Sequence, residues 1–293
     1  MSPKAFLVFK TIGHYLELVK FSHTIFALPF ALLGLTLGFT QTQTPFELHK
    51  LLAVIACMVF ARSAAMGFNR YIDARFDALN PRTAQREIPA GIVKPQHALG
   101  FIILMCVLFV ATTAFINPLC LFLSPIALLV ILGYSYTKRF TPLCHWVLGL
   151  GLALAPIGAY LAVTAQFATL PILLSAMVFT WVSGFDILYA LQDEEFDRSH
   201  GLHSIPELLG RKNALLVSRF LHLITASIAI YIGYQYLHSA GQNVATTIFV
   251  LMLIYQHSLI KVNDISRINL AFGTTNGIAS VLYATGMIVD LVL

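Results

Sequence analysis

Two stretches of the sequence repeat one spacing of acidic residues. The first reads Asn69-Arg-Tyr-Ile-Asp73-Ala-Arg-Phe-Asp77, and the second Asp186-Ile-Leu-Tyr189-Ala-Leu-Gln-Asp193-Glu-Glu-Phe-Asp197. Asn69, Asp73 and Asp77 stand four apart. On a helix such neighbours shift by only about 40° and about 6 Å along the axis, so the spacing predicts one face carrying an amide and two carboxylates. Like charges at this spacing destabilise a helix, and a cation between them removes the penalty. Mg²⁺ suits such a site, because it takes one or two carboxylates and completes its shell with water and substrate phosphates. The second stretch repeats Asp-x-x-Phe-Asp about 120 residues later, with Tyr189 in the place of Asn69. A single Asp-x-x-x-Asp is equally well explained as a solvated helix end. Two copies among only 13 acidic residues imply a pseudo-repeat with facing metal sites. Asp186 closes an apolar segment, where an ionisable group is costly and usually functional.

Basic residues follow the acids. Arg82 and Arg86 lie in a stretch punctuated by proline and glycine, Asn80-Pro-Arg-Thr-Ala-Gln-Arg-Glu-Ile-Pro-Ala-Gly91. Lys138 and Arg139 come one turn after Tyr134. Carboxylates that hold Mg²⁺ beside Arg and Lys are what a diphosphate requires: metal on its oxygens and charge-assisted hydrogen bonds around them. Topological anchoring is the plainer role for each cation taken alone. The cysteines Cys57, Cys106, Cys120 and Cys144 lie in or beside apolar segments without a C-x-x-C pair. They read as buried thiols rather than disulfides or metal ligands.

The elements that must position these groups are set by lipid. Of 293 residues, 58% are hydrophobic and 11% charged, against about 25% charged in soluble domains. Apolar runs fall near 21–39, 51–68, 98–116, 118–136, 146–164, 170–190, 214–235, 244–260 and 270–290. Each is too long and continuous for a barrel strand, so the expectation is an all-α integral membrane protein with nine transmembrane helices. One domain over 1–293 is expected, with 1–20 as an amphipathic helix at the interface, where Val8, Ile12, Tyr15 and Val19 recur at helical spacing. Of the 18 Lys and Arg, fifteen fall in 69–97, 137–145, 191–213, 261–269 or the N-terminal segment. Lys50 alone lies in the other set of connections, and Arg62 and Arg219 lie within spans. The positive-inside rule then puts both acidic stretches on the cytoplasmic side and the C-terminus outside. The formal charge of +5 is thus assigned to topology and an anionic substrate, not to nucleic acid.

With these motifs the chain resembles the UbiA superfamily of intramembrane prenyltransferases over nearly its whole length. The resemblance implies nine helices around a central cavity capped on the cytoplasmic side. Within the superfamily the chain is similar to the 4-hydroxybenzoate polyprenyltransferases. Arg62 stands seven residues before Asn69, as in that branch, and Arg82-Thr83-x2-Arg86-x2-Pro89-x-Gly91 and Tyr134-x3-Lys138-Arg139 fit it. It departs at His203, where the branch carries Lys, and at Lys20-Phe-Ser-His23, where the ubiquinone enzymes read Arg-x-Asp-Lys-Pro.

The resemblance implies Mg²⁺-dependent transfer of a polyprenyl group from polyprenyl diphosphate to a ring carbon of an aromatic acid. That acid is 4-hydroxybenzoate in ubiquinone or menaquinone biosynthesis, or a dihydroxynaphthoate in the futalosine route to menaquinone. The site would be in a bacterial inner membrane, facing the cytoplasm. Asp73, Asp77, Asp193 and Asp197 would hold Mg²⁺ with help from Asn69. Arg82, Arg86, Lys138 and Arg139 would take the remaining diphosphate charge, and Asp186 would contact substrate. Tyr134 and Tyr189 would face the cation-like allylic carbon. Arg62 lies deeper on the face of the first motif, and its planar fork suits a carboxylate. The competing class is a lipid or ion transporter with the acids as coupling sites.

Overall fold

The computed structural model describes residues 13–19, 25–236 and 239–293. The chain is helical: α1 (Leu28–Thr42), α2 (Leu48–Ile72), α3 (Ala74–Leu79), α4 (Pro95–Ala114), α5 (Pro118–Thr137), α6 (Cys144–Thr164), α7 (Thr169–Ala190), α8 (Glu194–His200), α9 (Ile205–Tyr236), α10 (Ala240–Ser258) and, after a π-turn at Leu270–Thr275, α11 (Asn276–Val292). Local sequence sets the boundaries. Pro95 and Pro118 each sit in the first turn, where a missing N–H costs nothing. The Asn117 side chain accepts the amide of Cys120 as N-cap.

Among the described residues seven helices are long and apolar enough to cross a membrane. They are α2, α4, α5, α6, the α7 and α11 regions and α9. α1, with 15 residues, is shorter, and α10 carries Gln242, Asn243, Gln256 and His257 among its apolar residues. The helices α4 and α5 leave Ile103, Leu104, Val107, Phe122 and Leu129 exposed on their outer faces. Such a surface is stable only against lipid, and the protein is an integral membrane protein.

α7 is the most enclosed of the helices and packs against α6 and α9, while α1 packs on α6 and α2 on α4. Lipid gives helices no hydrophobic drive to associate, so close approach must supply the contact. A methyl on Gly34 would collide with the backbone carbonyl of Pro156, and one on Gly184 with the His222 ring. These two glycines let α1 meet α6 and α7 meet α9. Aromatic side chains fill the centre: Trp181 lies edge-on to Phe185 at 5.1 Å and beside Phe30 at 5.4 Å and Phe249 at 5.7 Å.

Most of the interfacial helix expected over 1–20 lies outside the described residues, as do Lys20 and the segment Phe21-Ser22-His23. Its described part, helical over 13–18, packs inward. Leu18 is buried with Ile88, Val93 and Ala98, so the segment braces the connection that carries Arg82 and Arg86.

Candidate active site

The two acid-bearing turns are built alike. α2 ends at Ile72, and Asp73 takes φ −88° and ψ 4° before α3 begins. After α7 a 3-10 turn covers Leu191–Asp193, and Asp193 takes φ −106° and ψ 4° before α8. Both aspartates sit in the sparsely populated bridge region, where active-site residues recur. The single helix face expected over 69–77 is therefore corrected: the helix bends at Asp73. Its backbone bonds still run from Asp73 N to Asn69 O (3.0 Å) and from Asp77 N to Asp73 O (2.8 Å), so the bend loses none of them. Asp77 is buried within α3.

All the residues given a site role from the sequence line one cavity of about 570 Å³, from Arg62 and Asn69 on α2 to Asp197 on α8. Each motif carboxylate holds a cation. Arg82 grips Asp193 with two parallel bonds, Nη2 to Oδ2 at 2.6 Å and Nε to Oδ1 at 3.1 Å. Arg86 Nη1 donates to Asp77 Oδ1 at 2.6 Å, and Lys138 Nζ lies 2.7 Å from Asp197 Oδ1. Arg139 Nη2 reaches Asp73 Oδ1 at 3.1 Å and the carbonyl of Ile72 at 2.8 Å, while Asn69 Nδ2 donates to Asp73 Oδ2 at 3.0 Å. Of the two loop arginines, Arg82 crosses to the second acidic stretch, while Arg86 stays with the first.

Electrostatics follow from the pairing. Burial works against the charge of Lys138, yet Asp197 and Asp193 outweigh it and raise its pKa. Burial likewise opposes Arg82, and Asp193 raises its pKa in net. Burial holds the Asp73 carboxyl above its usual range, with Arg139 partly offsetting the effect.

Four further residues in the cavity stand out. Arg70, read from the sequence as a topological anchor, is buried, with Nη1 4.0 Å from Asp77 Oδ2. Asn80 donates from Nδ2 to Asp193 Oδ1 at 3.1 Å. Glu87 is buried with Oε2 unpartnered. His145, at the start of α6, is buried with Nδ1 2.7 Å from Asp186 Oδ2 and Nε2 accepting the amide of Ile205 at 3.3 Å. An acceptor Nε2 puts a ring proton on Nδ1, so His145 Nδ1 donates to Asp186 Oδ2. A Ser204 hydroxyl on Asp197 Oδ2 (2.9 Å) completes the second acidic turn. His203 does not line the cavity. Its side chain faces Glu207 at 3.8 Å, and its amide donates to Lys138 O at 2.7 Å.

The cavity adjoins an apolar groove of about 400 Å³ between α2, α4, α5 and α6, and Arg62, Met66 and Tyr134 line both. Arg62 Nε is buried without a hydrogen-bond partner among the described residues. Tyr189 stacks near Phe272 (centroids 4.1 Å apart), with the Arg82 guanidinium 5.7 Å from its ring centre.

The sequence profile of the UbiA prenyltransferase family matches residues 27–280. The chain belongs to this family. A 4-hydroxybenzoate octaprenyltransferase of Aliivibrio salmonicida is 33% identical over 218 residues, which cover 73% of this chain and 74% of that protein. A UbiA homolog from Aeropyrum pernix superposes with a TM-score of 0.82 at 34% identity, covering 92% of this chain and 98% of that one. A second, from Archaeoglobus fulgidus, solved with GPP and Mg²⁺, shares the fold with a TM-score of 0.75 at 21% identity over 96% of this chain and 100% of that one. The enzyme is a UbiA-family prenyltransferase.

The donor set fits a hard divalent cation. Asp77 Oδ2 is buried without a hydrogen-bond partner, and the remaining donors are carboxylate and amide oxygens. Among the described residues no three of His, Cys, Asp and Glu converge as a closed cage. An open set of this kind suits Mg²⁺, which relies on substrate phosphates and water for the rest of its shell.

Proposed function

We propose that this UbiA-family enzyme moves a polyprenyl group from polyprenyl diphosphate to a ring carbon of 4-hydroxybenzoate, in quinone biosynthesis. The observation that carries this reading is the pairing of four carboxylates from two repeats with four cations, in one cavity that adjoins an apolar groove. Charge of both signs waits there for a ligand that brings metal and phosphate together. Relatives named as 4-hydroxybenzoate octaprenyltransferases support the acceptor.

Asp73, Asp77, Asp193 and Asp197 would hold Mg²⁺, with Asn69 orienting Asp73. Mg²⁺, when bound, neutralises diphosphate oxygens and so favours departure of the diphosphate. Arg82, Arg86, Lys138 and Arg139 then exchange carboxylate partners for phosphate oxygens, to which the same forks and ammonium donate. The apolar groove takes the prenyl tail. Arg62, at the junction of groove and cavity, takes the acceptor's carboxylate and turns its ring towards the allylic carbon, which Tyr134 and Tyr189 flank.

As the allylic C–O bond breaks, the diphosphate leaves with the electron pair. The ring carbon ortho to the hydroxyl forms the new C–C bond. Its proton then passes to Asp186, which the bond from His145 Nδ1 holds in place at the cavity wall, and the ring regains aromaticity. In this reading the cavity faces the cytoplasm of a bacterial inner membrane, an orientation that the distribution of basic residues supports. Purified protein given one polyprenyl diphosphate with 4-hydroxybenzoate and a dihydroxynaphthoate together is expected to prenylate the benzoate. A product spectrum containing only the naphthoate adduct would reassign the acceptor and leave the reaction class intact.

A further inference from the structure

Away from the acidic cavity, α9 and α10 enclose a second concave site of about 470 Å³, lined by Lys212, Arg219, His257 and Lys261, with Leu216 and Val262 beside them. No carboxylate lines it. Three observations there point to one missing partner.

Arg219 lies within a membrane-spanning helix, two turns or about 10 Å beyond Lys212. An arginine in such a position ordinarily pairs with an anion, yet among the described residues neither it nor Lys212 nor Lys261 makes an ion pair. The second observation is a fixed chain of rings. Trp181 O can only accept, so His222 Nε2 donates to it at 3.1 Å. A neutral His222 must then accept at Nδ1 the proton of His257 Nε2, 2.8 Å away. His257 Nδ1 is left as a buried acceptor with no partner. The third is the surroundings. Leu216, Phe220, Leu223 and Ile254 are exposed on the same two helices, which is a lipid-facing surface.

We propose that this site binds the headgroup of an anionic phospholipid. The phosphate sits among Arg219, Lys212 and Lys261, a headgroup hydroxyl donates to His257 Nδ1, and the acyl chains lie along the exposed apolar stripe of α9 and α10. Basic recesses between helices at a membrane surface bind anionic lipids in this way. Simple anchoring explains exposed lysines at a helix end. It does not explain an unpaired arginine two turns further on, or a histidine lining the same recess whose Nδ1 has no partner among the described residues.

The test is native mass spectrometry of the full-length protein in detergent, titrated with phosphatidylglycerol or with phosphatidylcholine of the same acyl chains. Arg219→Gln, Lys261→Gln and the exposed control Lys94→Gln are measured beside the wild type. One phosphatidylglycerol should bind in preference to phosphatidylcholine. Arg219→Gln and Lys261→Gln should each weaken it about tenfold, as expected for loss of a charge-assisted contact, with Lys94→Gln near wild type. Equal retention of both lipids, or equal loss from Lys94→Gln, would overturn the site in favour of diffuse surface attraction. Displacement of phosphatidylglycerol by millimolar inorganic phosphate would make it a free-anion site and also overturn the proposal. Arg219 and Lys261 are exposed, and a thermal-unfolding scan of each variant separates lost binding from lost fold. The readout is binding, so its outcome is independent of the proposed reaction.

Discussion

Arg62 is the residue whose replacement separates acceptor binding from everything else in the cavity. Its half-buried side chain lies at the junction of the polar cavity and the apolar groove, with Nε buried and without a partner among the described residues. A buried charge without a partner destabilises the protein that carries it, and an apolar side chain of similar volume removes that cost. Arg62→Met should therefore leave thermal stability in detergent unchanged or raised while acceptor binding is lost. Arg62→Lys keeps the charge and loses the fork. One charge-assisted hydrogen bond is worth about 1.5–3 kcal/mol, so kcat/KM for the aromatic acid should fall roughly 10- to 150-fold. The KM for polyprenyl diphosphate should change little. The assay is initial-rate kinetics with each substrate varied in turn, beside a thermal-unfolding scan of both variants. Equal effects on the two substrates, or a large loss of stability in Arg62→Met, would show that Arg62 is a structural cation.

Replacing Asp73 or Asp193 with Ala should abolish turnover and leave the protein folded and inserted, since several kcal/mol of transition-state stabilisation depend on such groups; near-normal activity in either variant would remove the metal site. Because burial holds the Asp73 carboxyl above its usual range, protons compete with metal at higher pH than at a free aspartate. The apparent Mg²⁺ affinity should be flat above that raised value and fall as pH drops through it, which Mg²⁺ titrations at stepped pH would check. Asp186→Asn should lower kcat by about 10²–10⁴, the usual worth of a general base, and a primary isotope effect should emerge with ring-deuterated acceptor. No isotope effect in that slowed variant would move the base elsewhere. Cysteines placed in 78–96 or 199–205 should be labelled only from the cytoplasmic side, and one in 239–243 only from the other; labelling of 78–96 from outside would invert the topology.

The acids were legible because polar residues stand out in an apolar chain and because their spacing recurs. Their surroundings were legible only in part. Charge counting assigns Arg70 to an anchoring loop, and it cannot tell a solvated cation from a buried one facing Asp77. His145 looks like any histidine in an apolar run, and its partner is 41 residues away. The bend at Asp73 is hidden because Ala-Arg-Phe-Asp-Ala-Leu is itself a good helical sequence. The span read at 214–235 belongs to a helix assigned from Ile205, because the non-helical Gly210 (φ 71°) separates a first turn from the apolar run. Nine hydropathic runs correspond to nine helices of fifteen or more described residues. Length and composition qualify seven of them as spans, since α1 is short and α10 is studded with amides.

The most direct measurement is made on protein reconstituted in liposomes and supplied with Mg²⁺, isotope-labelled polyprenyl diphosphate and 4-hydroxybenzoate. A prenyltransferase with this cavity should release diphosphate and yield a prenylated aromatic acid, lighter than its combined parts by one diphosphate and one proton, and only when Mg²⁺ and acceptor are both present. Intact labelled diphosphate on the far side of the bilayer, with no aromatic adduct formed, would contradict it and mark the acids as the coupling sites of a transporter.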